Sequence, residues 1–405
     1  MKNTLAIACL CTLVVSSRAL AQGVPGEPDI SKARVRLGRL YLNPTIMLTN
    51  LGWDTNVFNT PDQLEPQKDF TMTVTPRSDL WLRMGRSWLT GYIKEDLVWY
   101  QTFGSERSAN TSAGVGVLVP LNRLRFNVGA SYLSTRERPG YEIDARSQRG
   151  ELGYDGGVEI RARPKTFVGI RGARKTTGYD SDATFEGVSL SEALDRTLTS
   201  GAVTVRQQVT PLTAITFDFG RAQDRFEFSP LRDSDSTSAA VGVKFDTFAI
   251  LKGSASIGYR DFEPVLAGLP AYQGLIATAD LAYVAFGTTR IGVQAVRDVE
   301  YSFEITQPYY LLTGFSGSLT RRISRPLDVV GRVSFQKLDY RDRVGVIVAA
   351  PDRVDHVRTY GGGFGYHFGK DVRIGLNVDR QKRYSPVLDR HYHGFTFGTS
   401  VTYGL

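Results

Sequence analysis

The sequence predicts an all-β protein: a transmembrane antiparallel up-and-down β-barrel of about 18 strands, within a range of roughly 16 to 20. Three observations predict this fold. Apolar and polar residues alternate with a period of two along segments of about ten residues. Short and long connections alternate between these segments. An N-terminal leader marks the chain for export. The predicted segments are a signal peptide over 1–21, a short periplasmic segment over 22–40 and the outer-membrane barrel over 41–405.

The leader determines the compartment. Lys2 precedes an apolar run from Leu5 to Val15, and Ala19-Leu20-Ala21 offers small residues at the cleavage positions. The run is too short to span a bilayer as a helix, and no later segment reaches about 18 consecutive apolar residues. We therefore expect cleavage after Ala21 and an outer-membrane location. Both cysteines, Cys9 and Cys11, lie inside the leader, so we expect a mature chain without disulfides or thiolate metal ligands.

Composition agrees with a membrane barrel. The hydrophobic fraction is an ordinary 41%, and glycine (41), tyrosine (19) and phenylalanine (21) are plentiful. A membrane barrel has this composition because only every second residue faces lipid. The net charge of +8 would suit nucleic acid or a polyanion equally well. Export favours the polyanion, so we expect no nucleic-acid partner.

The strands show the alternation along their whole length. In the last one, one face is apolar and the other small or polar. The apolar face consists of Phe395, Phe397, Thr399, Val401, Tyr403 and Leu405; the other consists of Gly394, Thr396, Gly398, Ser400, Thr402 and Gly404. The segments beginning near Leu124, Leu152 and Val372 repeat this pattern. A two-residue period excludes helices here.

Connection lengths favour a membrane barrel over a soluble β-sandwich. Tight breaks fall near Gly85, Pro120 to Asn122, Pro164, Pro211, Lys252, Gly287, Pro326 and Gly369 to Lys370. Longer polar loops lie between them; the longest, Gly178 to Asp195, is a candidate constriction whose residues 189–194 could form one helical turn in the mouth. Tyrosine, tryptophan and phenylalanine near strand ends indicate interfacial girdles. Aromatic filling of an ordinary β core remains the alternative.

The sequence offers no catalytic or metal-binding set. His391 and His393 share a face without a third ligand nearby in sequence, so we expect no metal there. Gly314-Phe315-Ser316-Gly317 does not match a nucleophile elbow. The glycine-rich run at 361–365 lies within a strand with no helix after it, which excludes a phosphate loop. We predict no enzyme activity, no cofactor and no metal.

The inward residues are then the functional surface. Seven of them are candidates for the path of a permeating molecule: Arg125, Arg161, Arg206, Arg290, Arg332, Arg373 and His367. All six arginines fall on the inferred inward face near a short-turn end. Two interpretations remain open. The arginines could form pairs with carboxylates in the wall, or they could form a basic girdle at the periplasmic entrance that attracts an anionic solute or polymer.

The segment Asp54-Thr55-Asn56-Val57-Phe58 resembles an early "Asp-x-Asn-Val-Phe" signature of the putative β-barrel porin 2 family. Members of that family are often outer-membrane proteins of exopolysaccharide operons. The resemblance implies a conduit that exports an exopolysaccharide or capsule-like polymer, with periplasmic export and polymer-synthesis proteins as partners beside outer-membrane lipid. The alternatives are a general diffusion porin for small solutes and a structural or adhesive surface protein.

Overall fold

The computed structural model describes residues 27–246, 249–369 and 371–404; the predicted leader and its cleavage site lie outside them. Almost all of the described chain is β-strand. The strands are β1 (Val35–Leu37), β2 (Leu40–Asp54), β3 (Asp69–Met84), β4 (Ser87–Tyr100), β5 (Ser108–Pro120), β6 (Leu124–Thr135), β7 (Arg149–Arg163), β8 (Thr166–Tyr179), β9 (Thr184–Phe185), β10 (Val188–Ser189), β11 (Arg196–Thr210), β12 (Thr213–Phe226), β13 (Ser234–Phe245), β14 (Leu251–Pro264), β15 (Tyr272–Ala285), β16 (Thr289–Tyr301), β17 (Tyr309–Arg322), β18 (Leu327–Arg341), β19 (Val354–Phe368), β20 (Val372–Tyr384) and β21 (Tyr392–Tyr403).

In the described part of the chain, helical structure is confined to short pieces. The α-helix α1 spans Leu190–Leu194, and 3₁₀ turns span Ile30–Lys32, Gly104–Glu106, Pro230–Arg232 and Leu388–Arg390. Among the described residues, no helix is both long and apolar enough to cross a membrane.

The strands close into a barrel because the last strand pairs with the first long one. The ladder between β2 and β21 runs from Ile46 opposite Tyr403 to Asp54 opposite Thr396. Across the described ranges, eighteen antiparallel strands, β2 to β8 and β11 to β21, form this ring. The predicted fold class and strand number are confirmed. β1, within the predicted periplasmic segment 22–40, pairs with the start of β2.

The alternation in sequence becomes two faces in the structure. On β12, Ile215, Phe217 and Phe219 are exposed on the outside, whereas Thr216 and Asp218 between them are buried on the inside. The same division holds around the ring. The barrel therefore carries an apolar outer band and a polar inner wall.

The two ends of the barrel differ, as predicted. At one end the strands are joined by short turns such as 85–86, 164–165 and 211–212; at the other end the connections are longer, with 55–68, 136–148, 180–195 and 342–353 the most extended. We call these the turn end and the loop end. Short turns of bacterial barrels face the periplasm, so the loop end is extracellular.

The barrel wall divides near its loop end between β15 and β16. Their ladder covers only Ala277 to Ala285 of β15. Beyond it, the end of β16 and the start of β17 lean into the barrel, because the successive residues Tyr309 to Leu312 are buried on both faces. This hairpin narrows the mouth from one side.

Candidate functional site

The extracellular mouth is crossed by the loop 136–148, which joins β6 to β7 and which we call the crossing loop. The buried Glu142 at its centre accepts hydrogen bonds from Ser302 Oγ (2.6 Å) and from the backbone N–H of Phe303 (3.3 Å). These partners follow β16, which stands eight places from β6 in the described ring of eighteen. Nine places would be directly opposite, so the loop spans the mouth.

Arg383 on β20 anchors the crossing loop to the wall. Its side chain is fully buried, and Nη1 donates to the carbonyls of Tyr141 (2.9 Å) and Glu142 (3.0 Å) and to Asp144 Oδ2 (2.9 Å). Nη2 donates to Asp355 Oδ2 on β19 (2.5 Å). One guanidinium thus joins three residues of the loop to two strands of the wall, with the charge-assisted bonds that are strongest in buried positions.

Asp144 receives further donors around the same point. Tyr392 Oη donates to Asp144 Oδ1 (2.9 Å), Asn59 Nδ2 donates to the same oxygen (3.2 Å), and Arg390 contacts Oδ2. Arg138 donates through Nε to the Asp144 carbonyl (2.5 Å). The second half of the crossing loop is therefore held by side chains from two other loop-end segments, from β21 and from its own first half.

The segment that carries the Asp-x-Asn-Val-Phe signature contacts the crossing loop directly. Asn56 is buried and joins its own segment to β21, since Nδ2 donates to the carbonyls of Thr60 and His393 (3.0 Å each). The Val57 carbonyl accepts from Arg138 Nη2 (2.6 Å) and Arg146 Nη1 (2.9 Å). The signature thus presents a backbone carbonyl to two arginines of the crossing loop.

The loop 180–195 also lies in the mouth, beside the crossing loop. Ser189 caps α1 by accepting from the N–H of Glu192, so the predicted helical turn is confirmed. Leu190, Ala193 and Leu194 are buried. They pack with Ile143 of the crossing loop, with Phe303, and with inward residues at the loop ends of β12, β14, β16 and β17: Phe226, Phe262, Val299, Tyr301, Tyr309 and Leu311. This apolar cluster and the crossing loop together lie across the mouth.

Burial perturbs several charged groups in these loops, and the shifts of Glu142 and Arg232 are the largest. Burial raises the pKa of Glu142 to about 7, although Arg390 and Arg353 lie close enough to favour its charged form. Burial also lowers the pKa of Arg232 to about 10. Arg232 donates to the carbonyls of Ser302 (3.2 Å) and Phe303 (2.9 Å). The closed mouth therefore holds a carboxyl that titrates near neutral pH.

Below the mouth, most of the predicted arginines contact carboxylates. Arg206 makes a two-pronged contact with Glu159 (3.0 and 2.7 Å), and Arg125 lies 3.8 Å from the same carboxylate. Arg206 also lies over the ring of Phe167, with 3.8 Å from its Cζ to the ring centroid. Arg161 lies 5.4 Å from the same centroid. Four strands thus contribute to one patch near the turn end.

The glycines of β19 make room for two further pairs. Arg332 on β18 reaches Asp379 on β20 (2.9 Å), and a Cβ on Gly361 between them would meet Asp379 Oδ1 at 1.9 Å. Nearer the turn end, Asp328 on β18 accepts from Arg373 on β20 and contacts His367, and a Cβ on Gly365 would displace the Arg373 guanidinium.

Arg290, the remaining predicted residue, stands on the inner face of β16 between Val284 and Thr320. The seven predicted residues therefore all lie on the inner wall towards the turn end, in separate groups.

The sequence predicts a longer polar loop at 136–146, but it does not predict that this loop crosses the mouth or that Arg383 and Arg390 hold it. A signal was present, because 136–148 combines three arginines, three carboxylates and a tyrosine within thirteen residues. Within the part of the chain that the structure describes, no group of three or more histidine, cysteine, aspartate or glutamate side chains could hold a metal ion.

Comparisons with solved structures find distant likenesses. OccK9 (OpdG) of Pseudomonas aeruginosa is 11% identical with a TM-score of 0.46, over 89% of this chain and 97% of that one. The ferric enterobactin receptor PfeA of the same organism is 11% identical with a TM-score of 0.43, over 83% of this chain. The match spans 62% of that receptor, less than two thirds of its length. A bacterial polysaccharide outer membrane secretin is 9% identical with a TM-score of 0.34, over 90% and 98% of the two chains.

No curated protein matches this chain. A family model does match, and it covers residues 27–404, nearly the whole described barrel. The lipid-facing band, the closed ring of strands and the signature segment all lie inside this match. The chain belongs to the family described as putative beta-barrel porin 2, and it is an outer-membrane β-barrel of porin type.

Proposed function

We propose that this barrel is a gated, non-enzymatic conduit whose extracellular mouth opens to release an exopolysaccharide or capsule-like polymer from the periplasm. The observation that carries the proposal is the crossing loop, which closes the mouth through side-chain contacts that can break without disturbing the strand ladders. Arg383 holds the loop through one guanidinium. A closure built this way is a two-state element of the kind that gating requires.

The chemistry of the inner wall supports a sugar polymer. Hydroxyl and amide side chains that are only partly buried line it between the ion pairs, among them Asn127, Gln294, Asn377 and Ser400. Such groups exchange hydrogen bonds with sugar hydroxyls as the chain advances. The arginines that contact carboxylates reduce the net field, so the wall does not hold an anionic polymer tightly. Periplasmic export and polymer-synthesis proteins would drive the movement.

Single-channel recording in planar bilayers tests the gate. Arg383→Gln removes the guanidinium that joins the crossing loop to the wall, and it leaves Asp144 and Asp355 without that donor. Removing one partner of a buried pair costs about 3–5 kcal/mol, so we expect the variant to stay open far longer than the wild type. Arg174→Gln, an exposed outward residue on β8, is the matched control.

Secretion tests the cargo. We expect a strain without the gene to retain polymer in the periplasm, and Arg383→Gln to restore release. A deletion strain that secretes normal amounts of polymer would refute the export function.

A diffusion porin for small solutes is the second candidate, and the family description favours it. It predicts steady conductance of the wild-type barrel and uptake of small sugars by liposomes that contain it. The two functions separate on this point, because a gated exporter conducts little until the crossing loop is released.

A further inference from the structure

A groove on the lipid-facing surface of β16 to β21 has no part in the conduit. It has a volume of about 680 Å³. Its floor lacks side chains because three glycines point outwards there, Gly317, Gly331 and Gly362. Gly331 and Gly362 are direct neighbours, and Leu319 and Val378 flank them in the same row across four strands. The result is an apolar trough between Phe315, Leu319, Val378 and Phe395, with a volume that can hold part of a lipid acyl chain.

Three cationic side chains lie at the extracellular rim of this groove. Arg380 lines the groove itself, beside Tyr360 and Phe395. One row nearer the loop end, Arg358 stands directly opposite Lys382. Within the described residues, none of these three side chains forms an ion pair. Aromatic rings hold them in place, since Arg380 lies over Phe395 at 5.2 Å and Arg358 over Tyr384 at 5.2 Å.

The pairing of Arg358 with Lys382 indicates a binding site for an anion. Like charges directly opposite each other across a ladder destabilise a sheet. Such a pair on the outward face, where the apolar band ends, is stabilised if an anionic group lies between the two cations. A phosphate accepts hydrogen bonds from both guanidinium and ammonium groups. The exposed apolar residues of β19 run from Phe368 to Tyr360 and end beside Arg358, where the head group of a lipid is expected.

We propose that this surface binds a phosphorylated lipid of the outer leaflet, with an acyl chain in the groove and a head-group phosphate on Arg358, Arg380 and Lys382. The apolar trough and the cationic rim lie at the heights that the chain and the phosphate of one lipid occupy. A bound lipid of this kind would stiffen the wall formed by β17 to β20. The proposal is independent of what passes through the lumen.

Native mass spectrometry of the mature chain in detergent tests the proposal, with lipid A as the phosphorylated probe and its dephosphorylated form as the comparison. We expect the wild type to retain lipid A and to lose the dephosphorylated form. The triple variant Arg358→Gln, Arg380→Gln, Lys382→Gln should bind lipid A about a hundredfold more weakly, because each cation contributes about fivefold. The matched control removes three outward cations from the opposite wall: Arg174→Gln, Arg221→Gln and Arg225→Gln.

Filling the groove tests the acyl-chain half of the site separately. Gly331→Leu adds a side chain where a Cβ would have no atom within 4 Å, so the barrel should fold normally. We expect weaker retention of lipid A, whereas Gly156→Leu on β7, another outward glycine with a Cβ in ordinary contact, should retain it. Equal retention by the wild type, the triple variant and Gly331→Leu would overturn the proposal, as would equal retention of both lipid forms.

Discussion

The buried carboxyl of Glu142 makes opening of the mouth depend on pH. In the closed mouth its pKa is about 7. Once the crossing loop leaves the mouth, Glu142 is hydrated and returns to its ordinary pKa of 4.5. The closed state therefore binds this proton more tightly than the open state. Closure is fully favoured below about pH 4.5, loses stability as the pH rises from 4.5 to 7, and changes little above that range.

The size of the effect follows from the two pKa values. Their difference, 7 − 4.5 = 2.5, corresponds to about 3 kcal/mol at 1.36 kcal/mol per pKa unit. Most of the interval from pH 4.5 to pH 7, over which closure loses stability, lies between pH 5 and pH 8. Over that interval we expect the ratio of open to closed channels to rise about 70-fold. Arg390 and Arg353 favour the charged form of Glu142, and burial outweighs them.

Single-channel recording at matched salt measures this ratio directly. The wild type should open far more often at pH 8 than at pH 5. Glu142→Gln keeps the shape of the side chain and removes its titration, so its open fraction should change little over the same interval. Burial also raises the pKa values of Glu137 and Asp195 in the mouth loops, so the slope of the variant measures what these two groups contribute. A wild type that closes as the pH rises, or a variant with the wild-type slope, would refute the reasoning.

Two further predictions concern the inner wall. Arg332→Gln leaves Asp379 without its guanidinium and should shift the reversal potential in a salt gradient towards cation selectivity; Asp379→Asn should shift it the opposite way, and the double variant should return near the wild type. Identical reversal potentials in all four proteins would contradict a role for this pair in the permeation path. Gly365→Val should lower the midpoint of thermal unfolding, because its Cβ displaces Arg373 from Asp328 and breaking a buried pair costs about 3–5 kcal/mol. Gly331→Val, an outward glycine with free space, is the control, and equal midpoints would count against the steric argument.

Much of the inner wall could be placed from the sequence. Because side chains alternate strictly between the two faces of a strand, Arg206, Arg332, Arg373 and His367 could be assigned to the lumen from their position relative to exposed neighbours. Their partners could not be assigned. Arg332 meets Asp379 across an intervening strand, and such a contact depends on the register of two ladders and on a glycine between them.

The crossing loop illustrates the same division. Its length and its place between β6 and β7 were readable from the sequence, and so was the helical turn in 180–195. That the loop crosses the mouth was not readable, because Glu142 and Ser302 are separated by 160 residues and no local pattern relates them.

The sequence by itself determined the barrel, its number of strands, its two faces and its two different ends, because each of these follows from local periodicity and from the lengths of connections. Only the tertiary structure decided that the mouth is closed, which arginines hold it and where a trough forms on the outer wall. Those features require residues from distant strands and loops to meet, and their meeting depends on the closure and register of the whole ring.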